Sequence, residues 1–210
     1  MTDAANAQGR RLRIAVLASG SGTTLQAVID ACQSGAIDGD VVLVISNNSN
    51  SGAIERARRH GIETVHLSGN THSDPEVLDW AVTAALDACA PDIVLLAGYM
   101  KKLGSHVLEA YRGRVINTHP SLLPKHGGQG MYGGHVHAAV IASGEDESGV
   151  SVHLVDADYD TGAVIAQRSV PVEADDDAEA LAARVQVAEK PFLIEVLQGI
   201  AKGGFKLSSE

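Results

Sequence analysis

The sequence predicts an α/β fold with a doubly wound, mostly parallel sheet and an antiparallel hairpin near the C-terminus. Continuous apolar runs such as LRIAVLA (Leu12–Ala18) and VVLVIS (Val41–Ser46) are typical of strands buried on both faces of a parallel sheet. Segments with apolar residues at helical spacing lie between these runs. From Ser148 onwards, two strand-like runs are separated by only a short acidic turn, and this spacing predicts the hairpin.

Strand-like and helix-like segments alternate along the chain as far as Pro120. The helices are marked by their ends. Gly61 stops one helix, and Ser73-Asp74-Pro75-Glu76 resembles a capping box that opens another, which runs to about Cys89. Regular alternation predicts right-handed crossovers between parallel strands. The predicted strands are Leu12–Ala18, Val41–Ser46, Thr64–Leu67, Asp92–Gly98 and Arg114–His119.

The pattern changes after Pro120. The stretch Pro120–Gly134 contains five glycines and two prolines and is predicted to form a loop. HVHAAVIAS then predicts a helix, and the runs SGVSVHLVDA and AVIAQRSVPV predict the two strands of the hairpin. A final helix is expected to begin near Asp175, because acidic residues suit the first turn of a helix. Pro191 is expected to kink or split that helix.

Length and charge restrict the classes of protein that fit. The chain has 210 residues, which suits a disordered tail at residues 1–10 and a single domain over residues 11–210. A net charge of −10 without a long basic run argues against nucleic acid as the main partner. No apolar run approaches the ~20 residues that a membrane helix needs, and the first residues lack a hydrophobic signal segment. We therefore expect a cytoplasmic protein, with Cys32 and Cys89 as buried thiols.

A glycine-rich loop, ASGSGTTLQ, joins the first strand to the first helix. Gly20 and Gly22 would let backbone N–H groups approach an anion, and Thr23 and Thr24 would add hydroxyl donors at a helix N-terminus. The loop lacks the Gly-Lys-Ser/Thr ending of a P-loop, and Leu25 stands where a dinucleotide motif has its third glycine. The stretch favours a single phosphate. The alternative is a tight turn with a threonine cap.

The pair Asn117 and His119 ends the fifth predicted strand. Residues two apart on a strand point to the same side, so these side chains are expected to project together, with Thr118 opposite. Pro120 ends the ladder and biases His119 towards an extended backbone. An amide and an imidazole at the carboxyl end of a strand can bind a carbonyl oxygen that becomes an oxyanion. The alternative is that Asn117 and His119 only cap the end of the strand through hydrogen bonds with the loop backbone.

The acidic turn DADYDTG could supply a carboxylate partner for this histidine. It also resembles the start of a calcium loop, but Thr161 and Gln167 occupy the positions of the required glycine and glutamate. A carboxylate beside His119 would stabilise the imidazolium and accept a proton. Spacing alone leaves Asp156, Asp158 and Asp160 open, with Asp160 favoured at the end of the turn.

A second group of histidines, His135-x-His137 with His126 upstream, raises the question of a zinc site. The segment HVHAAV is predicted to be helical, and residues two apart on a helix do not face each other. No cysteine lies nearby. We therefore expect no metal site, and we expect these histidines to be solvated.

The motifs together resemble the folate-dependent formyltransferases, and among them the phosphoribosylglycinamide formyltransferases of purine synthesis. The resemblance runs from about Arg13 to Gly199. It rests on ASGSGTTLQAVIDA, VISNNSNSGAIERARRHGI, PDIVLLAGYMKKL, VINTHPSLLPK, GVSVHLVDADYDTGAVIAQ and ARVQVAEK. It implies a Rossmann-like formyltransferase fold, 10-formyltetrahydrofolate as co-substrate, glycinamide ribonucleotide as acceptor, no metal, and a monomer or homodimer. The implied reaction is the third step of de novo purine biosynthesis.

The resemblance also implies roles for particular residues. Asn117, His119 and Asp160 match the family's catalytic amide, imidazole and carboxylate. The residues that match the binding site for the ribonucleotide substrate are Gly22, Thr23, Thr24, Gln186 and Glu189. The residues that match the folate site are Met100, Lys101, Lys102, Leu103, His153 and Asp156.

Some positions depart from the family pattern. Thr24 replaces the usual asparagine of the first loop, and Lys101 replaces an arginine, so it keeps the charge but loses the bidentate fork. The glycine-rich stretch Gly127–Gly134 is longer than the commonest form.

A formyltetrahydrofolate deformylase, which uses water as acceptor, is the alternative enzyme, and the presence of the glycine-rich loop that favours phosphate argues against it. A non-catalytic binding module is a further alternative, for which a broken catalytic triad would be expected.

Overall fold

The computed structural model describes residues 10–205. Within that range the chain forms seven strands and six helices in the order β1-α1-β2-α2-β3-α3-β4-α4-β5-α5-β6-β7-α6. The strands are β1 Leu12–Leu17, β2 Gly39–Ser46, β3 Glu63–His66, β4 Ile93–Leu96, β5 Val115–His119, β6 Glu147–Leu154 and β7 Val164–Pro171. The helices are α1 Thr23–Gln33, α2 Gly52–Arg59, α3 Pro75–Cys89, α4 Ser105–Ala110, α5 Gly134–Ser143 and α6 Ala178–Ala201.

The described residues divide into two compact units. The first unit holds residues 10–115 and 197–205, and the second holds Ile116–Val196. The single domain expected over residues 11–210 stays a prediction. The tail expected over residues 1–10 lies, up to Gly9, outside the described residues.

The first unit contains a parallel sheet in the order β3-β2-β1-β4. Its central strands are apolar on both faces because helices cover both, and Ile14, Leu17 and Leu95 are fully buried. The chain winds outwards from β1 to β3 and then returns to place β4 on the other side of β1. The carboxyl ends of β1 and β4 therefore flank the point where the strand order reverses, and ligands of open α/β sheets bind at such a point.

The start of α3 differs by one residue from the predicted capping box. Asp74 is the N-cap, and its carboxylate accepts hydrogen bonds from the backbone N–H groups of Glu76 and Val77. Pro75 takes the first helical position because it has no N–H to leave unpaired, so Ser73 lies outside the helix. The predicted end at Cys89 is confirmed.

Helix α4 is absent from the sequence-based assignment. The six-residue stretch Ser105–Ala110 has no side chain of its own that caps its first turn. Asp79 of α3 supplies the cap instead, because its carboxylate accepts from the backbone N–H of His106 at 2.8 Å and of Val107 at 3.3 Å. Because the capping residue lies 27 positions away in the sequence, the residues next to the helix carry no capping motif that would predict its start.

The second unit contains an antiparallel ladder in which β6 pairs with β5 on one side and β7 on the other. In the β5–β6 register, Asn117 lies opposite His153 and His119 opposite Ser151. The predicted hairpin and the predicted α/β fold class are confirmed. Helix α6 is a single helix that contains Pro191, so a split at Pro191 is wrong, and a kink there stays a prediction. Within residues 10–205 no helix has the length and apolar character needed to cross a membrane.

Candidate active site

Asn117 and His119 lie on β5, on the opposite side from Thr118, as the strand period requires. The Thr118 hydroxyl donates to Oε1 of Glu189 on α6 at 3.0 Å. His119 is only 3% exposed, and its Nε2 donates to the backbone carbonyl of His126 at 2.8 Å. The strand thus places one polar pair together and directs the intervening threonine towards the last helix.

Asp160 is the aspartate of the acidic turn that lies against His119. Its Oδ2 is 3.4 Å from Nδ1 of His119 and accepts from the backbone N–H of Gly128 at 3.0 Å. Asp160 has a left-handed backbone with φ 58°, and its side chain is 11% exposed. By contrast, Asp156 is exposed and closes the turn, since it accepts from the Thr161 hydroxyl at 2.7 Å. Asp158 is exposed as well. Of the three aspartates that spacing left open, the geometry therefore favours Asp160 as the partner of His119.

His153 of β6 fixes the amide of Asn117. Its Nε2 lies 3.1 Å from Nδ2 of Asn117, and its Nδ1 lies 2.8 Å from the carbonyl oxygen of Leu154. A carbonyl only accepts, so Nδ1 carries the hydrogen and Nε2 accepts from the amide. Burial lowers the pKa of His153, which favours this neutral form. The 3.5 Å separation from Asp160 is then a close approach and not an ion pair.

The helix α5 buries a histidine that we expected to be solvated. His137 is 3% exposed, whereas His135 is exposed, because residues two apart lie on different faces of a helix. Burial lowers the pKa of His137, and the electrostatic influence of nearby His119 lowers it further. Its Nδ1 has no hydrogen-bond partner within the described residues.

No group of three or more histidines, cysteines and carboxylates in residues 10–205 is arranged to hold a metal.

The glycine loop of the first unit is shaped for close backbone approach. Gly22 is the N-cap of α1 with φ 72°, and a Cβ there would lie 2.6 Å from Cα of Ala53. Thr23 and Thr24 follow at the first turn of α1, where Thr23 is exposed. The guanidinium of Arg56 donates to the carbonyl of Ser21 at 2.9 Å and brings a positive charge to the loop. These features favour an anion at the helix N-terminus.

Ser19 joins three strand ends, a role that its sequence position did not indicate. Its hydroxyl donates to Oδ1 of Asn47, which follows β2, at 2.5 Å. The same hydroxyl accepts from the backbone N–H of Met100, which follows β4, at 2.8 Å. The loops after β1, β2 and β4 are thereby fixed to one another where the strand order reverses.

Four of the six residues expected at the folate site, Met100–Leu103, lie in the first unit at or beside a cavity of about 550 Å³, whereas His153 and Asp156 belong to the second unit. Lys101, Lys102 and Leu103 line this cavity, together with Asn47 and Tyr99. The adjacent Met100 is 58% exposed. The structure therefore provides an apolar and cationic surface at the carboxyl ends of β2 and β4.

Two expected substrate residues lie on α6. Gln186 is exposed and Glu189 is partly buried through its hydrogen bond with Thr118. Residues three apart share one face of a helix, so both side chains are presented on the same side of α6.

Comparison with known proteins agrees with this geometry. The family model described as Formyl transferase matches residues 12–197. The chain is 40% identical over 93% of its length to "Phosphoribosylglycinamide formyltransferase" of Escherichia coli strain K12, and covers 90% of that protein. It is 41% identical to "Phosphoribosylglycinamide formyltransferase, chloroplastic" of Vigna unguiculata over 92% of its length, and spans only 62% of that longer protein.

Solved structures give the same result. Glycinamide ribonucleotide transformylase 1 from Symbiobacterium toebii aligns with a TM-score of 0.85 at 37% identity, over 93% of this chain and 90% of that one. A formyltetrahydrofolate deformylase from Pseudomonas syringae aligns with a TM-score of 0.81 at 26% identity, and only 63% of it is covered. The chain therefore belongs to the formyl transferase family, in which it is 40% identical to the phosphoribosylglycinamide formyltransferase of Escherichia coli.

Proposed function

We propose that this chain transfers the formyl group of 10-formyltetrahydrofolate to the amine of glycinamide ribonucleotide, the third step of de novo purine biosynthesis. The observation that carries the proposal is the meeting of an amide, an imidazole and a carboxylate at Asn117, His119 and Asp160. Donors for a developing oxyanion and a proton acceptor are the groups that acyl transfer needs.

The chemical step is attack of the substrate amine on the formyl carbon. A nitrogen–carbon bond forms, and the formyl oxygen gains negative charge in a tetrahedral intermediate. The Nδ2 group of Asn117 donates a hydrogen bond to this oxygen, and the positive charge of protonated His119 stabilises it. A donor of this kind commonly contributes about 10²–10³ in rate.

Collapse of the intermediate breaks the bond between the formyl carbon and the folate nitrogen. The attacking amine must lose a proton and the departing folate nitrogen must gain one. Asp160 stabilises the imidazolium of His119 and passes this proton, through water. No covalent enzyme intermediate is needed, and positioning of two substrates lowers such barriers by roughly 7–11 kcal/mol in favourable cases.

The proposed contacts with the two substrates follow from the charge and hydrogen-bonding groups of each segment. Gly22, Thr23 and Thr24 are proposed to hold the substrate phosphate at the N-terminus of α1, with Gln186 as a further phosphate contact. Glu189 is proposed to attract the substrate amine through its carboxylate. The folate co-substrate is proposed to contact the segment Met100–Leu103, His153 and Asp156.

The test is a folate absorbance assay with and without glycinamide ribonucleotide. Deformylation that requires the ribonucleotide supports the transferase. Deformylation without it supports the deformylase alternative, in which the glycine loop is only a turn. No deformylation in either case contradicts both. The expected cytoplasmic location and the monomer or homodimer stay predictions.

A further inference from the structure

The tight turn Lys125–Gly128 contacts both members of the buried His119–Asp160 pair. The carbonyl oxygen of His126 accepts from Nε2 of His119 at 2.8 Å. Two residues later, the backbone N–H of Gly128 donates to Oδ2 of Asp160 at 3.0 Å. One short segment of backbone therefore orients an imidazole and a carboxylate at the same time.

The geometry of this turn is costly at His126. Its φ of 53° lies in the left-handed region, which a residue with a Cβ rarely adopts. Such a conformation persists only where surrounding contacts hold it, and strain of this kind concentrates at functional sites. The direction of the His126 carbonyl depends on this conformation, so whatever holds His126 also controls His119.

Glu145, just after α5, is the group that holds it. Its Oε1 accepts from Nε2 of His126 at 2.7 Å, and its Oε2 accepts from Nζ of Lys125 at 2.9 Å. The His126 and Glu145 side chains are 15% and 24% exposed, whereas Lys125 is 65% exposed. Hydrogen bonds from Lys125 and His126 lower the pKa of Glu145, which keeps it ionised.

We propose that Glu145 and His126 are positioning residues that hold His119 in one tautomer and one orientation for formyl transfer. The inference rests on the proposed function. Because a carbonyl only accepts, the His126 carbonyl requires a hydrogen on Nε2 of His119. Proton exchange is thereby left to Nδ1, the nitrogen that faces Asp160 at 3.4 Å.

The packing of the turn explains how a change at Glu145 reaches the catalytic pair. A Cβ on Gly127 would lie 2.5 Å from Cδ2 of Leu123 and 3.2 Å from Cβ of Asp160, so the turn sits directly against that aspartate. A shift of the turn cannot be absorbed by empty space there. It must rotate the His126 carbonyl away from His119 or displace Asp160.

The test compares four variants. Glu145→Ala is expected to lower kcat on the order of 10- to 100-fold, with KM for both substrates nearly unchanged. Glu145→Gln keeps an acceptor oxygen for His126 and should recover most of the loss. His126→Asn tolerates the left-handed backbone but removes the imidazole, and should resemble Glu145→Ala. Lys125→Ala removes the exposed partner of Glu145 but keeps the His126–Glu145 hydrogen bond, and should lower kcat less than Glu145→Ala.

A spectroscopic measurement separates positioning from general stability. Nitrogen-15 spectra of labelled histidine, recorded at a pH where the His119 ring is neutral, should show it as one tautomer with hydrogen on Nε2 in the wild type. The same spectra should show a tautomer mixture in Glu145→Ala. A fall in Tm with unchanged kcat and unchanged His119 signals would overturn the proposal. If the wild type fails to transfer formyl to the ribonucleotide, the proposed function fails, and the His119 spectra alone still decide whether Glu145 orients the ring.

Discussion

The Nδ1 atom of His119 lies 3.4 Å from Oδ2 of Asp160, and neither side chain is more than 11% exposed. Exclusion of water strengthens the interaction between a carboxylate and an imidazolium. The same burial leaves little room for bulk water to replace Asp160 as the proton acceptor. Loss of this pair should therefore lower kcat strongly and change the affinity for the substrates little.

Replacement of Asp160 by asparagine tests this expectation. The amide keeps the shape of the side chain but cannot stabilise the imidazolium or accept a proton. We expect kcat to fall by about 10²–10⁴-fold, with the affinity for glycinamide ribonucleotide, measured by calorimetry, largely unchanged.

The matched control is Asp158→Asn, an exposed aspartate of the same acidic turn, which should retain wild-type kcat. A near-normal kcat in Asp160→Asn would show that the carboxylate does not take part in the proton transfer.

Local periodicity was sufficient to predict the position of the amide and imidazole. A two-residue period on a strand places Asn117 and His119 on one side, and the structure has them there. Contacts across the chain were not predictable in this way. The cap that Asp79 provides for α4 and the carbonyl that His126 directs at His119 both depend on tertiary structure.

The error at His137 has a similar cause. The helical period correctly separated His135 from His137, but the sequence did not indicate which of the two faces the interior. Flanking residues gave a hint, because Val136 and Val140 are also buried on α5. A polar side chain is expected in solvent, but apolar neighbours on the same helix carry His137 into the interior.

The amide of Asn117 is expected to act as an oxyanion donor. Asn117→Ala removes it, and kcat should fall by about 10²–10³-fold. Asn117→Asp should be at least as damaging, since it places negative charge beside the developing oxyanion. Both variants should keep a Tm close to wild type within a few degrees. A kcat within threefold of wild type in Asn117→Ala would exclude the assigned role.

Variants of Gly20 and Gly22, in the glycine-rich loop proposed to bind phosphate, can separate an effect on folding from an effect on binding. Gly22→Ala would force a Cβ to within 2.6 Å of Ala53 in a left-handed backbone with φ 72°, so we expect a lower Tm and weaker phosphate binding. Gly20→Ala meets nothing within 4 Å and should leave Tm unchanged. Thermal melts with and without inorganic phosphate measure both effects. Equal melting temperatures for the two variants would contradict the packing argument.

The buried histidines make stability depend on pH. Burial lowers the pKa of His137 and His153 in the folded chain below their ordinary value of 6.5. Below about pH 6.5 the unfolded chain therefore binds more protons than the folded chain does. The free energy of unfolding should therefore decrease with falling pH, by up to about 1.4 kcal/mol per pH unit for each histidine.

Urea unfolding between about pH 5.5 and pH 7.5 measures this slope, because that window spans the pKa of an unperturbed histidine. His137→Gln removes one titrating group and should reduce the slope by up to about 1.4 kcal/mol per pH unit, whatever its effect on absolute stability. His135→Gln, an exposed neighbour on the same helix, should give the wild-type slope. A wild-type slope in His137→Gln would mean that His137 binds protons equally in the folded and unfolded states.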